Sequence, residues 1–212
     1  MYILIRMSYS QLGQDLEVLR FYNNKQEGFF IEVGANDGIT LSNTYLLEKK
    51  YNWRGICCEP IPNCFEKLVK NRPNSICISE AVYNKSGLTL SFDVANDNQL
   101  LSGISNYIDS HKVAVDVNKS TIEVKTISLV DVLNNSNAPS FIEYMSLDTE
   151  GTEFEILKDF DFEKYTFGLI DVEHNNVEPR RSEIKALLLS NGYVYKGKNR
   201  WDDMYQHKSL QL

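Results

Sequence analysis

FFIEVGANDG, residues Phe29–Gly38, decides how the rest of the chain is read. Phe29, Phe30, Ile31 and Val33 form a short apolar, β-rich run that suits a buried parallel strand. Gly34, Asn36, Asp37 and Gly38 end it with residues that accept tight or left-handed backbone, and glycine lets a ligand come close. A helical stretch carrying Asn43, Thr44, Leu46, Leu47 and Glu48 follows. Strand, glycine turn and helix start is the arrangement that holds a nucleotide-like ligand in a doubly wound sheet. The dinucleotide pattern G-x-G-x-x-G fails, because position 36 is Asn. The carboxylate of Asp37 is expected to repel phosphate. Glu32 stands inside the strand, where an acid needs a cationic or hydrogen-bonding partner.

A second acid extends the argument. Glu59 closes the next apolar run, Gly55–Cys58, and Pro60 and Pro62 stop that strand. It lies roughly 20 residues past Gly38, the spacing at which an acid on the second strand holds ribose hydroxyls. An adenosine bearing a cationic sulfonium and no phosphate fits both acids and the turn, which points to S-adenosylmethionine. The competing reading is a glycine turn and a surface acid with no ligand.

The 212 residues make a chain of one-domain size, with 42% hydrophobic and 24% charged residues, as in soluble globular proteins. A single domain over residues 1–212 is expected. No apolar run reaches membrane-spanning length. The first residues, MYILIRM, are too short for a secretory signal and read as an edge strand or a tail. The net charge of -7 and the lack of a basic stretch argue against nucleic acid as a partner. Cys57, Cys58, Cys64 and Cys77 contain no C-x-x-C pair and read as reduced, packed thiols of a cytoplasmic protein. Cys57 and Cys58, adjacent in a strand, are expected on opposite faces.

Ser10 is the expected N-cap of a first helix with Leu12, Leu16, Leu19 and Phe21 on its apolar face. Gln11 and Gln14 stand where they can line the ligand site. Asn63–Asn71 reads as a helix with Phe65, Leu68 and Val69 facing inward. Ser75–Val82 reads as a third strand, and Leu88–Val94 as its hairpin return through Gly87. Residues 95–120 are rich in Asn, Asp and Ser and read as a binding loop or lid, or as a disordered insert. Strand alternation resumes over Ile122–Ile127, and a short helix follows over Ser128–Leu133. Tyr144–Leu147 and Phe167–Val172 are further strands, Glu183–Leu189 a helix, and Tyr193–Tyr195 with Met204–Gln206 a closing hairpin. The whole is an α/β sheet covered by helices.

Two polar clusters follow the later strands: Asp148 with Glu150, and Glu173 with His174 and Asn175. Transfer of a methyl group to a hydroxyl requires that the hydroxyl lose its proton, so a base or a metal must assist. His174 suits the base, oriented by Asp148 and Glu173. Alternatively Asp148 and Glu173 bind Mg2+ or Mn2+, which favour oxygen ligands. Asp148 and Glu150 also suit simple capping of the next helix.

With these clusters in view, the chain resembles the FkbM family of S-adenosylmethionine-dependent methyltransferases. SQLGQD at Ser10–Asp15, FFIEVGANDGITLSNTYLLE at Phe29–Glu48, WRGICCEPIPNCFEKL at Trp53–Leu68, SEAV at Ser79–Val82, MSLDTEGTEFEIL at Met145–Leu157 and the DVEHN ending at Asn175 carry the likeness, in family order. The resemblance implies a Rossmann-like class I methyltransferase fold, a mostly parallel seven-stranded sheet with helices on both faces and an antiparallel C-terminal hairpin. It implies cofactor contacts at Gln11, Glu32, Gly34, Asn36, Ser42, Asn43, Glu59, Ala81 and Asp148; Gly38 and Pro60 complete the candidate set. The family's O-methylations point to a hydroxyl acceptor, read here as a sugar, glycan or glycolipid. Tyr193, Tyr195, Trp201 and Tyr205 suit stacking on a sugar face or ordinary hairpin packing. The chain also suits one part of a larger glycan-modifying enzyme. The rival readings are a methyltransferase for a small natural product or a carboxyl group, and an inactive cofactor-binding partner domain.

Overall fold

A computed structural model describes residues 8–210; the edge strand or tail expected in MYILIRM lies outside the described residues. The central sheet joins β1 (Phe29–Val33), β2 (Arg54–Cys58), β3 (Ile76–Ile78), β8 (Phe141–Leu147), β9 (Thr166–Glu173), β10 (Tyr193–Asn199) and β11 (Asp202–His207). Their order is β10-β11-β9-β8-β1-β2-β3. The pairs from β3 through β9 are parallel, and β11 runs antiparallel to both β9 and β10. This is the expected seven-stranded architecture with its C-terminal hairpin.

Strands buried on both faces alternate between two cores. Ile31, Cys58, Met145 and Ile170 pack against helices α5 (Leu129–Asn135), α6 (Glu153–Lys158) and α7 (Arg180–Ser190). Phe30, Cys57, Tyr144 and Leu169 face α1 (Gln14–Phe21), α2 (Tyr45–Tyr51) and α3 (Pro62–Asn71). Cys57 and Cys58 do point to opposite faces, and all four cysteines are free. The chain turns from β1 outward to β2 and β3, then returns to β8 on the other side of β1. Ligands in such sheets bind beyond the carboxyl ends of strands at this switch point. Among the described residues no helix is long and apolar enough to cross a membrane.

Several sequence expectations change. The first helix begins at Gln14 with Gly13 as N-cap, because the Ser10 and Ser8 hydroxyls and the Tyr9 amide all donate to the buried Asp15 carboxylate. Phe21 and Val69 are exposed, at 39% and 47%, and Val18 fills the inward place on α1. Pro62 opens α3, where its missing N–H costs nothing. The expected third strand breaks at Ser79–Glu80. Its second half, β4 (Ala81–Tyr83), leaves for a separate four-stranded sheet with β7 (Lys119–Ser128), β5 (Thr89–Ala95) and β6 (Gly103–Ile104), in the order β4-β7-β5-β6. Thus β5 does not return along β3; it pairs antiparallel with β7. Residues 95–120 hold a 3-10 turn at Gln99–Leu101, strand β6, helix α4 (Lys112–Val117) and the start of β7, so the disordered-insert reading does not describe them. Arg180 of α7 holds this segment by pairing with Asp109, at 2.5 Å, and with the Gly151 carbonyl.

Candidate functional site

At the switch point a cavity of about 320 Å3 opens beyond the ends of β1, β2, β8 and β9. Gly34 forms its inner edge. Its φ is +87°, and a Cβ there would lie 1.9 Å from the Asp148 carbonyl oxygen. Only glycine lets the β1 turn pass the end of β8 this closely. Gly34→Ala is expected to strain the turn by roughly 1–3 kcal/mol and to weaken S-adenosylhomocysteine binding by a comparable amount. Calorimetry with unchanged affinity in this variant would show that the ligand does not lie against the turn.

The turn has few amides left for a phosphate. Gly34 N and Ala35 N donate to the Cys58 carbonyl, Asn36 N to Glu59, Gly38 N to the Ala35 carbonyl, and Ile39 N and Thr40 N to Asp37. The start of α2 is closed as well: Asn43 N donates to Glu32, and Thr44 N and Tyr45 N to the Ser42 hydroxyl. A pyrophosphate depends on free amides at such a helix start. The absence of a dinucleotide motif therefore has a structural counterpart, carried by these capped amides. Asp37 is not among the lining residues and spends its carboxylate on its own turn, so the repulsion expected from it is secondary.

Glu32 finds its cation in Arg72, a residue that carries no motif in the sequence. Arg72 is fully buried and donates to Glu48, Glu32, the Gly38 carbonyl, Ser42 Oγ and Thr44 Oγ1. Glu32 also accepts from the hydroxyls of Ser42 and Thr44. Glu32 and Ser42 therefore brace the turn from beneath while lining the cavity. Asn43 reaches across to Ser146 on β8, 2.9 Å away. Gln11, Gly34, Asn36, Glu59, Pro60, Ala81 and Asp148 also line the cavity, whereas Gly38 packs on Arg72 beneath it.

Glu59 is 5% exposed, and its two oxygens accept from Asn36 N and Ile61 N. Burial pushes its carboxyl up to about 7. Asp171, buried and accepting from the Tyr144 hydroxyl, is likewise pushed up to about 7 by burial. In both, the folded value exceeds the ordinary values of 4.5 and 3.8. Their stabilising effect is thus complete below those ordinary values and is lost as pH rises through about 7. The ligand-free protein should melt at a lower temperature at pH 8 than at pH 5.5. A melting temperature that rises over this interval would contradict the burial of these acids.

The end of β8 and the end of β9 bring Asp148, Glu150 and Glu173 together, with one oxygen of each within 4.8 Å of the others. Asp148 is open to the cavity but enclosed by protein on its other sides. That enclosure, together with Asp202, Glu153 and Glu32, raises its carboxyl to about 7 against a lowering contact with Glu173. Burial and then Asp148 raise Glu150 to about 9, and the same causes hold Glu173 well above the usual range. The helix-capping alternative does not hold for Asp148 and Glu150. Thr152 stands at the N-cap of α6, no side chain caps that helix, and the turn amides of Thr149 and Gly151 go to Glu153 Oε1.

His174 is not part of this group. It is 1% exposed and absent from the cavity lining; Nδ1 accepts from Asn176 N, and Nε2 lies 3.3 Å from Asp203, which Arg181 also holds. The alternation of β9 sends Glu173 into the cavity, and the sharp bend at left-handed Asn175 and Asn176 turns the imidazole behind it. The base role read for His174 is corrected on this geometry. The imidazole that does face the cavity is His111, at the start of α4, with Nε2 3.7 Å from Glu150 Oε2. Nothing in its local sequence marks it, because the fold of residues 95–120 alone brings it there. Of the C-terminal aromatics only Trp201 lines the cavity; Tyr193 and Tyr205 are core residues.

The sheet order, the glycine turn at the switch point and the acid at the end of β2 define a class I, Rossmann-like methyltransferase. The Methyltransferase FkbM domain model matches residues 32–195, and the chain belongs to the FkbM methyltransferase family. It is an S-adenosylmethionine-dependent methyltransferase. Similar solved structures include a precorrin-6y C5,15-methyltransferase from Geobacter metallireducens GS-15, with 11% identity and a TM-score of 0.50 over 92% of this chain and 87% of that one. Another is a METTL16 methyltransferase domain, with 11% identity and a TM-score of 0.53 over 96% of this chain and 69% of that one. At this identity the likeness concerns the fold. No curated protein matches the chain significantly.

Proposed function

We propose that the chain transfers the methyl group of S-adenosylmethionine to a hydroxyl oxygen of a sugar or glycan. One observation carries the reading: a turn with its amides already capped opens onto three carboxylates and an imidazole. In this reading Glu59 holds the ribose hydroxyls, Gly34 and Asn36 form the bed of the cofactor, and Pro60 and Ala81 flank the adenine. The acceptor hydroxyl attacks the methyl carbon as the sulfonium–methyl bond breaks. The cofactor leaves as a neutral thioether, and the hydroxyl proton passes to His111, whose Nε2 lies 3.7 Å from Glu150 Oε2.

Residues 95–120 serve as the cover over the acceptor. Asn98, Gln99, Leu100, Leu101, Ile104 and His111 all line the cavity, which supports this role. Trp201 offers a face on which a sugar ring can stack. Mg2+ or Mn2+ at Asp148 and Glu173 belongs to the same reading. The acceptor is tested by incubating the protein with S-adenosylmethionine and a panel of sugars, glycolipid headgroups, carboxylic acids and small polyols. A mass gain of one methyl group on a sugar hydroxyl is expected. Exclusive methylation of carboxyl groups would replace the sugar reading.

A further inference from the structure

We propose that the second sheet and the turn that leaves it build the outer wall of the adenosine pocket, with Leu100 laid against the base and Gln99 tying the turn down. The inference rests on the cofactor placement given above and adds to it residues that carry no motif.

A purine is flat and largely apolar on both faces, so its pocket needs two walls. Pro60 and Ala81 offer one side. The central sheet cannot supply the other, because β3 is its edge strand and the chain leaves it at Ser79–Glu80. Phe92 on β5 and Ile104 on β6 stand there instead. They are cross-strand partners, 6% and 5% exposed, and both line the cavity. They pack in one apolar cluster with Ile61 and Ala81. The Ile61 amide donates to the Glu59 carboxylate, so this cluster adjoins the ribose end of the site.

The 3-10 turn Gln99–Leu101 closes the same end. Gln99 reaches the first turn of α3: the Cys64 thiol donates to its Oε1 at 3.1 Å, and its Nε2 donates to Asn63 Oδ1 at 3.3 Å. Burial pushes the thiol up to about 11, so at neutral pH it keeps the proton it donates. Ser102 Oγ accepts from Ala95 N and folds the turn back onto β5. Leu101 packs with Ala95, Ile108 and Val115. Leu100 has no such place. It is half-buried and lines the cavity, yet it belongs to none of the apolar clusters among the described residues. An apolar side chain held over a cavity with no core to join suits the flat face of a ligand. His111 stands towards the other end of the segment, which Asp109 ties to Arg180 of α7. The cover therefore has two separate anchors, the first serving the cofactor and the second the acceptor. A thiol is a weak donor and 3.3 Å is a long hydrogen bond, so the Gln99 tie can open to let the cofactor pass.

The test uses the whole chain and S-adenosylhomocysteine. Leu100→Ser should weaken binding by roughly fivefold or more in calorimetry, with the ligand-free melting temperature unchanged. Thiol alkylation, read at each cysteine by mass spectrometry, follows the tie. Cys64 is 1% exposed and lies against Gln99. S-adenosylhomocysteine should slow its modification by about tenfold or more, and Gln99→Ala should speed it in the ligand-free protein. Cys57 and Cys58, wholly buried in the central sheet, report global opening and should stay unmodified throughout. Equal S-adenosylhomocysteine affinity in the wild type and Leu100→Ser would overturn the wall and leave the turn to the acceptor. A Cys64 rate indifferent to the ligand would overturn it too. No binding by the wild type at millimolar ligand would remove the cofactor reading itself, and the wall with it.

Discussion

Replacing His111 by Gln should lower turnover by ~10²–10⁴-fold, while S-adenosylhomocysteine binds as before. The expectation follows from position. His111 lines the cavity and reaches within 3.7 Å of Glu150, whereas His174 is enclosed between Asn176 and Asp203. His174→Gln should act on stability instead, because it removes the imidazole beside a buried Asp203 carboxylate. Steady-state kinetics on both variants, with folding checked by melting, tells the two apart. Full turnover in His111→Gln together with collapse in a folded His174→Gln would reverse the assignment. A fall in both kcat and cofactor affinity for His111→Gln would mean that α4 is scaffold for the cofactor.

Arg72→Met should cost about 3–5 kcal/mol of stability, the typical loss when one partner of a buried ion pair is removed. The guanidinium is wholly buried between Glu32 and Glu48, at 3.3 and 2.6 Å, and stacks near the rings of Phe30 and Tyr45. Its removal leaves two acids without a cation and frees the Gly38 carbonyl. Urea denaturation measures the loss. Arg72→Met combined with Glu32→Gln and Glu48→Gln should recover part of it, since the uncompensated charge is then gone. A single-variant loss under about 1 kcal/mol would indicate a screened surface pair rather than a buried one. Because the same residues brace the β1 turn, cofactor affinity should fall along with stability.

The parts of the fold that depend on local periodicity were legible from the residues. Phe29–Val33 and Phe167–Val172 are mostly apolar runs, each interrupted by one acid, Glu32 and Asp171, and a parallel strand buried on both faces needs a mostly apolar run. Gly34 was legible because a glycine turn after such a strand has few structural alternatives. The second sheet was not legible. Ser75–Val82 reads as one strand, and nothing local says that Ala81–Tyr83 pairs with Thr126–Ser128 while Ile76–Ile78 pairs with β2. That choice is tertiary.

The site divides in the same way. Glu59 and Asp148 end strands and could be read from chain order. His111 and Arg72 reach their places through long-range packing, from a loop and from the end of a helix. His174 misled because it follows a strand end in sequence, yet strand alternation and the bend after it decide which neighbour faces the cavity. Glu173 does and His174 does not.

The central claim is that the capped turn and Glu59 hold S-adenosylmethionine and not a phosphate-bearing nucleotide. Calorimetry of the purified chain with S-adenosylhomocysteine and, separately, with NAD tests it most directly. One-site binding of S-adenosylhomocysteine is expected, weakened by ~1–3 kcal/mol in Glu59→Ala, with NAD much weaker. No heat from S-adenosylhomocysteine at millimolar concentration, or tighter binding of NAD, would contradict the account.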